Sequence, residues 1–451
     1  MMIGRERAEK IAKMILDYST ADETQVIITT ELLNFTRFNQ NWIHQNLTRS
    51  NHTVNIQVVE GGRSGAITVN TLDEAALKQA VDQARHFASF VVANPNRRGL
   101  PDPKPIEELD LLNPALINQT PDERADAVGE IIGLAKAKNI DASGTYSNSL
   151  EEMMIATSKG VMAYHASNFA MVRTVVTSNG VISGYADQIV TNPANLDVRK
   201  LGEDAVWKAT LRNSSILMEP GQYDTVFEAT AVADLLRFLG NIAFGAQALQ
   251  EGRSFMANAM GQQVFSPGVT IIDDAYHPLT LRRSFDGEGS PKKRVPIFED
   301  GFAKGVVYNN ATAAKEGIES TGHGAAMSGR FMRGPSPDNM IVSGGTSSRD
   351  EMIRNTKRGL LVTRFHYTHC PEPMQVIATG TTRDGTFLIE NGEIVARVLN
   401  FRFTESMIRA FANVEAISSD VRLTRDWWSS FYMVLPAMKI NGFTYTGNTT
   451  F

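Results

Sequence analysis

The sequence predicts an α+β fold in two parts. Residues 1–217 read as antiparallel strands with helices beside them, and residues 218–451 as a strongly bent or barrel-like antiparallel sheet. Three observations carry this. Runs with the two-residue period of strands follow one another across glycine turns, instead of alternating with helices as a parallel sheet requires. The stretch MEPGQYD at 218–224 breaks the pattern and opens a fresh one, as expected of a 451-residue chain too long for one small core. In the second half, PIFEDGFAKGVVYN and FLIENGEIVARVLNFRF each set Asp-Gly or Asn-Gly between apolar strands. That dipeptide is the strongest short hairpin signal, because both turn residues need positive φ.

The N-terminal residues form an amphipathic helix with Ala8, Ile11, Ile15 and Tyr18 on one side. TQVIITT, NFTRFN, WIHQNLTRS and TVNIQVVEGGRSGAITVN follow as strands, the last a hairpin with Gly61, Gly62 and Gly65 around its turn. EGGRSG is a plain turn and not a phosphate loop, since strand-like ITVN follows it where a helix would be needed. A second helix starts at Thr71, with Glu74 completing a capping box, and turns Leu77, Ala80, Val81 and Ala84 inward. Residues 92–118, rich in Pro, Asn and charge, read as a surface linker. Thr120-Pro121-Asp122-Glu123 puts cap, first-turn proline and capping-box Glu in register for a helix to about Lys138. MMIATSK, VMAYHAS, AMVRTVVTS and VISGYADQIV form a meander with SKG and SNG turns, closed by a helix from Val198 to Leu211. In the second half, DLLRFLGNIAFGAQALQEGRSF (Asp234 to Phe255) reads as an apolar helix with a Gly-rich exit, and VTIIDD as a strand. MIVSGGTSSRDEMIRNTKRG gives a strand, a turn and a helix capped by Ser348 and Glu351 and stopped by Gly359.

Hydrophobic residues at 42% and charged residues at 21% are ordinary for a soluble globular protein. A net charge of −5 leaves no basic footprint and disfavours direct nucleic-acid binding. The one tight basic run, Lys292-Lys293-Arg294, reads as a solvated turn. A single cysteine, Cys370, excludes an intrachain disulfide and agrees with the cytoplasm, the expected location. No stretch approaches the roughly 18 apolar residues of a membrane span, and the N-terminus has no signal-like apolar core.

None of the eight histidines falls in His-Glu-x-x-His spacing. The tightest group is His366-Tyr-Thr-His369-Cys370. On an extended strand His366 and Cys370 share a face about 13 Å apart while His369 points away, so one zinc cannot gather all three. An ordinary strand with a buried Cys is the better reading. His323, in STGHGAAMSGRFMRGPSP, reads as the exposed histidine of a mobile Gly-rich loop of the kind that covers clefts. Asp273, Asp274, Asp286 and Glu288 are loosely grouped, and the DGEGSP turn accounts for the last two. No Gly-x-Ser-x-Gly nucleophile elbow is present. From chemistry alone no catalytic, metal-ligating or cofactor-binding residue is assigned.

Several second-half stretches resemble the TldD/PmbA family, whose members were once called modulators of DNA gyrase. They are EGRSFMANAMGQQVFSPGVTIIDD, SFDGEGSPKKRVPIFEDG, the TGHG…MRGPSP stretch, GGTSSRDEMIRNTKRGLLVTRF, TGTTRDGTFLIENGEI and LPAMKINGFTYTG, spanning about residues 220–448. The resemblance implies that TldD-type members hold a metal for peptide hydrolysis through His-Glu-x-x-x-His and a later Cys. PmbA (TldE)-type members lack these and pair with a TldD-type chain. Laid on the apolar helix, that motif falls on Arg237, Phe238 and Ile242. Phe and Ile cannot ligate a metal, and guanidinium stays protonated and repels a cation. The region of the later Cys, around Ser418 to Trp428, has none, and Cys370 does not match it.

The expected function is therefore a PmbA/TldE-like, metal-free subunit that pairs with a TldD-like metallopeptidase, in which the zinc is expected. Extended or unfolded peptides are the expected substrates, held by strand addition to an edge of the second-half sheet. A dimer is expected, including a homodimer when the chain is alone. Two other readings compete: a self-sufficient peptidase using His323 with His366 or His369, and a regulatory binding protein linked to DNA gyrase.

Overall fold

In the computed structural model, which describes residues 2–94, 99–180, 182–211, 215–281, 283–325, 334–425 and 431–449, the strands form two sheets. The first uses β1 (Glu23–Asn39), β2 (Trp42–Glu60), β3 (Arg63–Val69), β4 (Asp141–Thr157), β5 (Met162–Ser178) and β6 (Ile182–Val190). Their order is β3-β2-β1-β4-β5-β6, antiparallel throughout. Three pairs of short strands read from the sequence are single long ones. TQVIITT joins NFTRFN, WIHQNLTRS joins TVNIQVVE, and VMAYHAS joins AMVRTVVTS. Polar residues between them, such as Glu31 and Asn168, stay in the ladder because a neighbouring strand continues opposite them.

Alternation then divides the sheet by face. The N-terminal helix Arg5–Tyr18 and the helix Glu74–Ser89 bury even-numbered residues of β1, β2 and β4, among them Val26, Ile28, Ile56 and Met154. The helices Pro121–Lys136 and Val198–Thr210 do the same over Phe38, Tyr146 and Val172. Within the first helix Ala8, Ala12 and Ile15 are buried, whereas Tyr18 is exposed. The helix expected from Thr71 begins at Glu74. Asp73 is its cap, accepting from the Ala76 amide, and the Thr71 hydroxyl accepts from the Asp73 amide instead. Gly65 is not a turn residue: a side chain there would strike the Ala84 carbonyl of the packed helix.

Outside the helix-covered region, β3 ends where Val69 meets Val54, so β2 from Trp42 to Thr53 has no strand on its outer side among the described residues. Its residues Asn46 to Asn51 are all exposed, as is Trp42 at 72%.

In the second sheet five strands close a ring: Tyr432–Asn448, Gly221–Phe227, Arg358–Glu372, Ile377–Glu390 and Phe401–Ser406, the last pairing back onto the first. The barrel-like expectation holds, but the sheet is not antiparallel throughout. Gly221–Phe227 runs parallel to Arg358–Glu372, because the chain between them crosses over through the helix Ala229–Ala243. Phe227, Phe365, Phe403 and Phe443 pack together in the core with ring centroids 4.5–6.3 Å apart. Twelve of the fifteen residues in Ala229–Ala243 are buried, which explains why that segment is apolar nearly all round. Both expected hairpins are present, with Asp300, Gly301, Asn391 and Gly392 all at positive φ. Gly359 does not stop the helix Arg349–Arg354, which ends at Asn355. It lies in the strand Arg358–Glu372, where a side chain would strike the Asp224 carbonyl.

Candidate functional site

Among the described residues, the odd-numbered face of the first sheet carries no helix and turns toward the second half. Two small apolar clusters join the halves: Phe169 and Ile189 with Ile341, Leu423 and Val434, and Ile27, Ile155 and Ala163 with Phe285. With them lies a cavity of about 1000 Å³. Its floor is odd-numbered residues of β1, β4 and β5, including Glu31, Phe35, Ser149, Glu151, His165 and Ser167, with Arg49 from β2. Its other wall is Leu281, Arg283, Asp338, Asn339, Arg425 and Tyr432. Tyr432 meets the floor edge-on at Phe169, 5.3 Å between centroids.

The floor holds two carboxylates in register, Glu31 of β1 directly opposite Glu151 of β4. Arg49 pairs with Glu31 at 2.8 Å. Burial raises the Glu151 pKa, and Glu31 adds to the rise against the pull of Arg283 and Arg425. Ser167 lies opposite Glu151 on β5, and its hydroxyl is 3.1 Å from His165 Nε2. This is a serine–histidine pair in a cavity, but burial and Arg283 lower the His165 pKa to about 3. Such an imidazole is a weak acceptor for a serine proton near neutrality, where a general base needs a pKa close to the working pH.

Beside Asp338, a second polar centre gathers three of the six family-like stretches. His323 is fully buried, correcting the exposed-loop expectation, and its Nε2 lies 2.8 Å from Asp273 Oδ1. Its Nδ1 meets the Thr321 hydroxyl at 2.9 Å. Asp273 Oδ2 accepts from the amides of Asp338 and Asn339. Asp338 in turn takes Lys292 Nζ at 2.7 Å and Arg283 at 3.3 Å. Burial pushes the Asp338 carboxyl up, but Lys292 and Arg283 outweigh it and hold it well below the usual range. Lys292 is therefore no solvated turn residue. Asp286 accepts from the amides of Glu288 and Ser290, as the turn reading expects, and also from Gly324. Glu288 points inward onto Asn310, and burial with the neighbouring Asp286 raises it to about 6.

Asp273, His323 and Asp338 are the one group of three possible metal ligands close together among the described residues. A divalent ion does not fit them. Their ligand atoms are committed to hydrogen bonds, and Lys292 and Arg283 already supply the positive charge. His366, His369 and Cys370 form no such group among the described residues. Their strand breaks register between His366 and His369 and again before Glu372, with Tyr367 at φ 56°. Arg237 Nη2 bonds the Thr368 hydroxyl at 2.9 Å, beside His369, and its guanidinium lies 4.3 Å from the Phe238 ring centroid. Phe238 is buried and Ile242 packs against the same core. The three positions on which the resemblance lays the metal motif thus present a cation and two apolar side chains.

Residues 220–447 match the family model described as the PmbA/TldA metallopeptidase C-terminal domain, and residues 114–212 match its central domain. The chain belongs to the PmbA/TldD family. Metalloprotease PmbA of Escherichia coli O157:H7 is 24% identical over 87% of this chain and 86% of its own length. A metalloprotease TldD homologue of Haemophilus influenzae is 22% identical over 82% and 80%. The crystal structure of TldE from Thermococcus kodakarensis superposes with a TM-score of 0.87 at 23% identity, covering 97% of this chain and 99% of that one, so the fold is shared.

Sequence reasoning singled out Arg237, Phe238, Ile242, His323 and the Asp286 turn, but missed the cavity face. Glu31, Glu151, Ser167, Arg283 and Arg425 sit in no motif. The one available signal was period-two polarity, as in Thr145, Ser147, Ser149 and Glu151, on a strand with helices on its other side.

Proposed function

We propose that this chain is the metal-free, PmbA/TldE-like subunit of a peptide-hydrolysing complex, paired with a TldD-like metallopeptidase that carries the zinc. The observation that carries the reading is the side-chain set at the motif positions. Arg237 is engaged with Thr368, Phe238 and Ile242 are packed in the core, and none of the three can ligate zinc. The chain's role is to complete a channel for extended or unfolded peptides in the cytoplasm. Strand addition fits this role, and among the described residues each sheet has a long strand that no other strand pairs on one side. The main path of the second sheet ends in two-residue strands, Phe302–Ala303 and Ser215–Ile216, but Val414–Arg425 pairs with no strand other than Tyr432–Asn448 among the described residues and keeps one side free of strands. The outer side of β2 from Trp42 to Thr53 offers a second, more exposed edge.

Metal content and peptidase activity of this chain alone, and after mixing with a TldD-like chain of the same organism, test the proposal. Metal and activity that appear only in the mixture support it. Stoichiometric zinc with chelator-sensitive hydrolysis in the lone chain overturns it.

A further inference from the structure

Two charged groups face each other across the cavity without an ion-pair partner among the described residues, Glu151 on one wall and Arg425 on the other. Among the described residues, no hydrogen-bond donor or ion-pair partner reaches the Glu151 carboxylate, although it faces the cavity from β4. Its neighbour Glu31 adds a second negative charge, balanced by Arg49. On the other wall, Arg425 ends the strand Val414–Arg425 without a carboxylate partner among the described residues. Its contacts are with Tyr432, the hydroxyl at 3.3 Å and the ring centroid at 5.7 Å, and its Nε is buried without an acceptor. Arg283, between them in charge, is committed to Asp338. Withdrawing a carboxylate and a guanidinium from water without pairing them is unfavourable. A ligand with a donor cation and an acceptor oxygen a few bonds apart would satisfy both. An extended peptide has these at its amino terminus, or wherever a lysine precedes exposed carbonyls.

We propose that this cavity binds an extended peptide through a primary ammonium, held by Glu151 and Glu31, with a nearby backbone carbonyl on Arg425. The proposal rests on the reading of the chain as a peptide-handling subunit and adds what part of the peptide it selects.

The test uses the full chain and a ten-residue, lysine-free, Gly/Ser/Thr-rich peptide with a fluorophore at its C-terminus, followed by anisotropy. Three forms are compared: free amino terminus, N-acetylated, and N-acetylated with one internal lysine. The free terminus, the internal lysine or both are expected to bind at least tenfold more tightly than the acetylated lysine-free form, and the pattern identifies the source of the ammonium. Glu151→Gln, with Glu31→Gln as a second variant, should abolish that advantage, and Arg425→Gln should weaken every form. Equal binding of all three forms, an advantage that survives both Glu variants, or no binding at all overturns the proposal. If no peptide binds, yet mixing with the TldD-like chain still yields activity, the cavity assignment falls while the subunit reading stands. Selective binding without activity in the mixture gives the reverse.

Discussion

Acid acts on His165 and Glu288 in opposite directions, and burial explains both. His165 is neutral in the fold down to about pH 3, whereas an unfolded histidine takes its proton near 6.5. Between pH 6.5 and 5 the unfolded state therefore gains a proton that the fold does not, and stability falls by about 2 kcal/mol from this group. Glu288 is raised to about 6 from an unfolded value of 4.5, so its contribution is present at low pH and lost as pH rises through 6, again about 2 kcal/mol. Urea unfolding at pH 7 and pH 5 should separate them. His165→Gln is expected to remove acid destabilisation, and Glu288→Gln to stabilise at pH 7 with the advantage vanishing near pH 4.5. Unchanged pH dependence in either variant contradicts its assignment. Neither residue's state was legible in the sequence. His165 takes Arg283 from a segment distant in the chain, and the rise at Glu288 comes first from burial, which the neighbouring DGEGSP residues do not reveal. Arg237, Phe238 and Ile242 were legible because incapacity to bind zinc belongs to the side chain itself, whatever surrounds it.

At the scale of elements, legibility followed how local the determining force is. The caps at Thr120 and Ser348 form as read, since cap and third residue are neighbours in the chain. The Asp300-Gly301 and Asn391-Gly392 hairpins do too. Strand lengths and the Gly359 boundary were misread because pairing partners distant in sequence decide them. Two substitutions measure the local terms. Ser348→Ala should cost about 1 kcal/mol through its cap. Gly301→Ala should cost more, about 1–3 kcal/mol, because φ is +80° there and a Cβ would strike the Phe265 carbonyl. A ranking reversed in urea unfolding would mean that the turn relaxes.

At the scale of the molecule, the two halves share charge as well as apolar clusters. Lys208 of the first half, with its side chain buried, reaches Glu228 at 2.7 Å, just before the central helix, and Arg422 reaches Asp187 at 3.0 Å. The second half closes five strands into a ring, and among the described residues the first sheet leaves twelve residues of β2 unpaired on one side. Proteins usually blunt such edges with lysine, proline or a bulge; the pairing slips once, at His44, but the Gln45–Thr53 run contains no lysine, proline or further slip. The edge therefore governs how the purified chain behaves on the bench. Alone and concentrated it should turn cloudy through edge-to-edge association, and co-production with its natural partner should raise the soluble yield. Leu47→Lys, at an exposed position on that edge, should raise the light-scattering threshold of the lone chain. If the variant scatters as the parent does, the clouding starts elsewhere on the surface.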